Sequence, residues 1–375
     1  MSLIFPKKEI LYAPMLGTLG GGSARGFGRG AGGLEAYETG LWAMGDSTGP
    51  DNVGMVSYDP DTLSRLVTSS NIPCSGSYPS TMADTYRNST GSVYLVSADS
   101  GTLRIWSSSS LNQISATNTG KQTRGMMVYG DYVYWASSSD AYIYRYNISN
   151  PSNVASASNQ YNMVGTVNME GMVAAGGYLY FGGGSGYITI IQEANFTGVS
   201  AQRLGGSSND ISAMCLGANG AIYAGYRSGG EVRRATVNGN GTLSHTHTVT
   251  LANPNAIIED LEVDRYGNIH VFTRQGASQP GYEVLRGSDL FSITYGNLAF
   301  NDPPVAIILN NYVYVADHNG ATGKMYKYSV DDVIAGTFSP TNTGTQYTPS
   351  TNTLLGSYDQ STIHELNLAQ GGLSF

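Results

Sequence analysis

Charge is scarce in this chain. Asp, Glu, Lys and Arg together make up 12% of its 375 residues, about half the usual share of roughly 25%. With 27 acidic against 19 basic side chains the formal net charge is −8. No basic stripe runs along the sequence, which argues against nucleic-acid binding. Cysteine is nearly missing as well. Cys74 sits in a polar stretch (NIPCSGS) and Cys215 in an apolar one (ISAMCLG). Two unpaired thiols are the simpler reading than a disulfide, and two cysteines say little about redox compartment. No run of about 18 apolar residues exists, so no transmembrane helix and no membrane insertion are expected. Pro6, Glu9 and Pro14 break the apolar start and oppose a signal peptide. The nucleophile elbow, the phosphate-binding loop, the HExxH zinc helix and a dinucleotide fingerprint in a βαβ setting are all absent. The chain therefore carries no cofactor signature. The glycines at 26, 28 and 30 have a fingerprint-like spacing without the strand and helix that would give it meaning.

What the chain has in quantity is glycine, 49 residues, and tyrosine, 27. That profile suits many short strands joined by tight turns, and it does not suit disorder. Residues 178–191, YLYFGGGSGYITII, state the pattern. Tyr178 and Tyr180 alternate with Leu179 and Phe181 at the strand period of two. Gly182, Gly183, Gly184 and Gly186 form a turn where positive φ costs nothing, and a β-branched return strand follows. The same hairpin recurs at 93–106, 133–148, 222–237 and 313–330, and more weakly at 41–59 and 269–286. With the second-strand ring as anchor, the series is Trp42, Tyr94, Tyr134, Tyr180, Tyr223, His270 and Tyr314. These anchors stand roughly 40 to 52 residues apart, the spacing of four-stranded propeller blades. Seven such units predict an all-β, seven-bladed β-propeller over residues 34–343, a ring that hides most sheet edges.

Residues 1–33 differ from the repeats. Ile4, Phe5, Ile10, Leu11, Tyr12, Met15 and Leu16 precede a glycine-rich stretch that carries Arg25, Phe27 and Arg29. Such a segment buries too little apolar surface to order by itself. It reads as an extended arm that packs on its own domain or, the favoured reading, docks on a neighbouring chain. Residues 344–375 are polar. They supply an outer strand of the last blade, close the ring on the first blade, or form a second arm.

Propellers place their sites at the channel mouth where inner strands begin. Asp84, Arg124, Glu170, Asp210, Glu259, Asp260 and Asp302 stand at or near those starts. Such a ring suits a cation or a polar ligand, although a solvated, hydrogen-bonded mouth is the plainer reading. In IEDLEVD, Asp260, Glu262 and Asp264 share one strand face, which is expected to face water rather than a metal. His245 and His247 also share a face but lack a third ligand nearby, so they read as a surface pair. Asp317 and His318 read as a turn. Tyr142, Tyr144 and Tyr146 alternate along one strand. A sugar-binding platform is one use for them, and packing between blades is the favoured one.

SADSGTLRIW, residues 97–106, resembles the end of a WD40 blade, although Ser107 stands where that family has Asp and no Gly-His pair precedes it. The resemblance implies a propeller and nothing about partners. LYAPMLGTLGGGSARGFGRG, residues 11–30, resembles segments near the start of virion-associated proteins of tailed bacteriophages. This implies a multi-copy tail or fibre component of a virion, joined to other virion proteins by its N-terminal arm. The propeller would then face a host-surface glycan or protein. The function expected on these grounds is a non-enzymatic structural protein with no cofactor. The alternative is a propeller enzyme, of hydrolase, lyase or quinoprotein type, acting on a carbohydrate-like substrate at the acidic mouth.

Overall fold

The computed structural model describes residues 41–346 apart from short interruptions, of which 74–81, 165–170, 299–304 and 317–323 are the longest, together with residues 367–370. The arm, residues 1–33, and its ten candidate docking residues lie outside the described residues. So do Cys74, Glu170, Asp302, Asp317 and His318.

Six four-stranded antiparallel sheets follow one another along the chain, at residues 82–118, 123–162, 172–203, 211–250, 257–297 and 305–346. We number them blades 1 to 6. In each, strands add in chain order from the inside outward. The inner strands lie beside one another around the axis. A further sheet has a different construction. Leu41–Asp46, Asn52–Tyr58 and Arg65–Thr68 lie in order, the short Ile72–Pro73 also pairs with Asn52–Tyr58, and Asn367–Gln370 flanks Leu41–Asp46. Leu41 pairs with Gln370 and Trp42 with Ala369 in that last junction, which sits between the inner strands of blades 1 and 6.

The expected β-propeller is present, but the count of seven blades is corrected. Six blades repeat the plan. The 41–59 hairpin is not a seventh copy, because its inner neighbour comes from the far end of the chain. Periodicity within a segment carries no mark of a strand borrowed from elsewhere.

Blade 3 shows why these residues make these elements. Tyr178–Gly182 pairs with Tyr187–Gln192, with Tyr180 opposite Ile190. The turn between them holds Ser185 at φ 56° and Gly186 at φ 71°. Gly182 is needed for a second reason: a Cβ there would lie 2.6 Å from Ile211 Cγ2 of blade 4. Gly225 repeats the device one blade later, where a Cβ would lie 2.6 Å from Ile258 Cγ2. Both let the next inner strand press onto the sheet. The result is a set of apolar layers between blades. Tyr180, Ile188 and Ile190 of blade 3 pack with Ile211, Met214 and Ile222 of blade 4.

All of the described anchor rings fall on second strands, and four of their hydroxyls reach the next sheet. Tyr134 donates to Glu193 Oε1 at 3.4 Å, Tyr180 to the Gly241 carbonyl at 2.9 Å, and Tyr314 to the Pro60 carbonyl at 2.8 Å. Tyr223 donates to the Gly287 carbonyl. Each acceptor lies at the turn joining the outer two strands of the following sheet. Three of those turns bury an apolar residue in the left-handed region: Phe196 at φ 54°, Leu290 at φ 61° and Leu63 at φ 55°. A left-handed L-residue costs roughly 1–2 kcal/mol. Burial of a Leu or Phe, about 1.5–3 kcal/mol, offsets it. Cations reinforce two of the joints. The Arg145 guanidinium lies 4.6 Å from the Tyr132 ring and donates to the Glu193 carbonyl at 3.2 Å. Lys327 Nζ lies 4.0 Å from the Tyr312 ring of its own blade and 3.4 Å from Asp61 Oδ1 in the turn of the following sheet.

Tyr180→Phe keeps the ring and removes only the donor to Gly241. It is expected to lower unfolding stability by about 1–3 kcal/mol, because a buried carbonyl is left without its partner. Urea titration checks this. An unchanged midpoint would mean that the hydroxyl adds nothing to the joint.

Candidate active site

The inner strands of blades 4 and 5 begin at Ile211 and Ile257, and the second strand of blade 4 ends nearby at Tyr226. Just beyond these ends lies an open pocket of about 520 Å³ lined by Asn209, Asp210, Arg227, Ser228, Asn255 and Ile257. Backbone geometry fixes its polar groups. Asp210 Oδ1 accepts the Ser185 N–H at 2.8 Å, so the left-handed turn of blade 3 holds the carboxylate from one side. The Asp210 carbonyl accepts the Arg227 N–H at 2.8 Å. Asn209 Nδ2 donates to the Ser228 carbonyl at 2.9 Å. Asn253 Oδ1 accepts the Asn255 N–H at 3.1 Å and shapes the third wall. One carboxylate, one guanidinium and two carboxamides thus line one concavity. That set can bind a polyhydroxylated ligand, activate a water and stabilise negative charge that develops on an oxygen.

Of the seven expected mouth residues, the pocket contains Asp210. Asp84 and Arg124 fall in the inner strands Met82–Arg87 and Thr123–Tyr129. Glu259 and Asp260 lie in the inner strand Ile257–Val263, further along than Ile257, and Asp260 is buried. Glu170 and Asp302 lie outside the described residues. Arg227, Asn209 and Asn255 were missed. The signal for them was the turn chemistry of Arg227-Ser228-Gly229-Gly230 after an inner hairpin strand, and of Asn253-Pro254-Asn255 before the next inner strand.

The acidic face of IEDLEVD does not face water, a second correction. Asp260, Glu262 and Asp264 are 4%, 1% and 4% exposed. Sheet faces in a propeller look at neighbouring blades, so alternation on an inner strand points both sets of side chains at protein. Asp260 Oδ2 accepts the Ala306 N–H of blade 6 at 3.2 Å, and Oδ1 accepts the Leu261 N–H at 2.9 Å. Asp264 Oδ1 accepts the Tyr266 and Asn268 N–H groups, both at 2.8 Å. Its Oδ2 meets Asn268 Nδ2 at 2.9 Å and His270 Nε2 at 3.1 Å. His270 Nδ1 bonds in turn to the Tyr282 hydroxyl. Burial pushes the Asp264 carboxyl up, but the His270 and Asn268 hydrogen bonds outweigh it and hold the group below the usual range. Burial pushes the Cys215 thiol well up, with Glu262 and Asp260 adding to the effect, so this free cysteine is a packed core group.

Two other candidates are placed by their bonds. His245 Nε2 lies 3.1 Å from the His247 carbonyl and 2.9 Å from Thr248 Oγ1, within its own strand. Tyr144 and Tyr146 are buried in the layer shared with Tyr86 and Val96 of blade 1. The Tyr144 hydroxyl donates to Asp140 Oδ2 at 2.6 Å.

No family model and no curated protein matches the chain. Solved structures are similar to it in fold. A protein from Bacteroides uniformis described as a candidate 6-phosphogluconolactonase superposes with a TM-score of 0.62 at 15% identity, over 82% of this chain and 97% of that one. The periplasmic gluconolactonase PpgL of Pseudomonas aeruginosa gives a TM-score of 0.61 at 14% identity, over 83% and 98%. The propeller domain of Cps50 (Swd1) from Myceliophteria thermophila gives 0.56 at 11% identity, over 73% and 93%. These likenesses establish the propeller.

The Asp264 network makes a pH-dependent prediction. A depressed carboxyl contributes stability above its unfolded value of about 3.9, and the contribution is lost as pH falls through the folded value. Asp264→Asn is expected to lower the urea midpoint at pH 7. Its gap from the wild type should narrow on acidification below about pH 4. A gap of constant size from pH 7 to pH 3 would exclude the charge as its source.

Proposed function

We propose that this chain is a propeller hydrolase that opens a sugar lactone or a similar cyclic ester in the pocket between blades 4 and 5. The observation that carries the reading is the placement of Asp210 beside Arg227 in a 520 Å³ pocket where inner strands begin. Support comes from similar propellers described as a candidate 6-phosphogluconolactonase and as a gluconolactonase, which this chain matches over nearly their whole lengths. Those same matches correct the expectation of a non-enzymatic tail or fibre protein. They favour the enzyme alternative, and within it the hydrolase.

The chemistry needs few groups. The Asp210 carboxylate, held by the Ser185 N–H, takes a proton from water as the water oxygen attacks the lactone carbonyl. The Arg227 guanidinium and the Asn209 or Asn255 amide steady the oxyanion that forms. Collapse re-forms the carbonyl and breaks the ring C–O bond. The leaving alkoxide takes the proton back from Asp210, which leaves a hydroxy acid and the regenerated carboxylate. A ring-opened acid is anionic, so Arg227 also suits the product.

Acid release from glucono-δ-lactone and from its 6-phosphate, followed in a pH-stat against the spontaneous rate, tests the proposal. The wild type is expected to exceed the spontaneous rate with at least one of them. Asp210→Asn should lose about 10²–10⁴-fold of that acceleration with an unchanged melting temperature. Arg227→Ala should weaken both KM and kcat. A wild type no faster than buffer on either lactone, or an Asp210→Asn protein at full rate, would overturn the reading.

A further inference from the structure

We infer that Asn238–Gly239, in the outer turn of blade 4, is a site of spontaneous covalent modification, where the chain converts its own asparagine to aspartate and isoaspartate. Asparagine before glycine is the step most prone to this reaction, because no Cβ hinders the approach of the glycine nitrogen to the side-chain carbonyl. The chain has four such steps, beginning at residues 219, 238, 240 and 319. The last lies outside the described residues. The structure separates the other three by what their glycine N–H groups do. The Gly220 N–H donates to the Gly217 carbonyl at 2.9 Å, and the Gly241 N–H donates to the Asn238 carbonyl at 2.9 Å. Both nitrogens are thereby held away from the asparagine side chain they would attack. The Gly239 N–H has no partner among the described residues. Asn238 and Gly239 are exposed, and a Cβ at Gly239 would meet nothing within 4 Å, so this step has room to rotate. Ser244 Oγ donates to Asn238 Oδ1 at 3.2 Å, which draws electron density from Cγ and suits the oxyanion that forms in the attack. The carboxamide's other bonds run from Nδ2 to Thr242 Oγ1 at 2.9 Å and to Ser244 Oγ at 3.1 Å. Both acceptors are surface hydroxyls that water replaces at little cost.

The reaction needs only water and hydroxide. Hydroxide takes the Gly239 amide proton, and the nitrogen bonds to Asn238 Cγ within one chain, where proximity favours the attack. The bond from Cγ to Nδ2 breaks, and the departing nitrogen takes a proton from water and leaves as ammonia. Water then opens the five-membered succinimide. Attack at the side-chain carbonyl gives isoaspartate or aspartate according to which ring C–N bond breaks, and nothing is oxidised or reduced. The site matters because this turn seats the joint from blade 3. Its Gly241 carbonyl accepts the Tyr180 hydroxyl at 2.9 Å, and Gly241 stands at φ 82° against the Tyr178 ring, where a Cβ would collide. The Asn238 N–H on the Thr242 carbonyl, at 2.8 Å, and the Gly241 N–H on the Asn238 carbonyl hold the turn. In isoaspartate the main chain is one methylene longer and the former Asn238 carbonyl becomes a free carboxylate. The modification therefore shifts the Gly241 acceptor and loosens the joint between blades 3 and 4 as the protein ages. None of this depends on activity in the pocket.

Ageing of the folded full chain at mildly alkaline pH tests this, read by peptide mass spectrometry with electron-transfer fragmentation, which separates isoaspartate from aspartate. Conversion at residue 238 is expected to outrun that at residues 219 and 240 by roughly tenfold or more. In the guanidinium-unfolded chain the three should convert at comparable rates, since the bonds that hold Gly220 and Gly241 are gone. Gly239→Ala, which the open turn accommodates, should slow conversion at residue 238 by roughly tenfold, because a Cβ restricts the rotation that brings the nitrogen to Cγ. The urea midpoint of the aged wild type should fall, while that of equally aged Gly239→Ala holds. Comparable rates at the three sites in the folded chain would overturn the inference. So would an Asn219 or Asn240 that converts first, or a Gly239→Ala protein that converts at the wild-type rate. An unchanged midpoint after full conversion at residue 238 would overturn the loosening of the joint.

Discussion

The hydroxyl of a tyrosine, reaching over to the turn of the next sheet at four of the joints, is the contact on which the ring depends. A propeller blade alone is a small twisted sheet with two exposed faces, and its neighbours must cover both. Apolar layers supply the bulk of that free energy, but they are non-directional and would tolerate sliding. The bonds from Tyr134, Tyr180, Tyr223 and Tyr314 are directional and fix each blade against the outer turn of the one that follows. The acceptors include backbone carbonyls of turns, which have no ladder partner of their own. One donor therefore satisfies a buried group and sets an angle at the same time. The abundance of tyrosine in a chain short of charge follows from this arrangement. Tyrosine fills the layer as phenylalanine would and still carries a polar tip to its edge.

Blade 5 departs from the rule, and its departure explains the buried acids. His270 stands at the anchor position, and its ring turns inward to Asp264 and Tyr282 instead of reaching blade 6. The joint to blade 6 is made by other means. Asp260 Oδ2 takes the Ala306 N–H, and the Tyr266 hydroxyl donates to Asp331 Oδ1 at 2.7 Å. The buried Asp260 carboxylate thus does in this joint part of what tyrosine hydroxyls do elsewhere, beside the exposed Tyr266–Asp331 bond. Carboxylates are costlier to bury than hydroxyls, and several N–H donors around each one are what make the exchange possible.

The period of the hairpins and the position of the anchor rings were legible in the sequence, because both are local. Tyr180, Tyr223 and Tyr314 could be assigned to second strands from alternation and glycine turns alone. What those hydroxyls bond to was not legible, since Gly241, Gly287 and Pro60 lie some 60 to 250 residues away along the chain. The same limit explains the overcount of blades. The hairpin at 41–59 resembles the others locally, and only the pairing of Leu41–Asp46 with Asn367–Gln370 reveals its different origin. The acids of IEDLEVD were misread because a strand of alternating charge ordinarily faces water, and nothing local announces an Ala306 N–H across a blade boundary. The pocket was half legible. Asp210 was found by the rule that inner strands start at the functional mouth. Arg227 was not, because a turn arginine is common and its neighbourhood is set by two blades.

The pocket opens between the Arg227 turn of blade 4 and the connection through Asn255 into blade 5, the blade whose anchor is a histidine. Tyrosine joints hold four of the sheets at their outer turns, and the pocket lies at the inner end. A carboxylate placed there needs no long-range network to stay in position. The Ser185 N–H is sufficient, and that N–H is aimed by a backbone conformation that few L-residues adopt. A rigid ring with locally adjustable turns separates stability from chemistry. It is consistent with propellers of 11–15% identity keeping one shape.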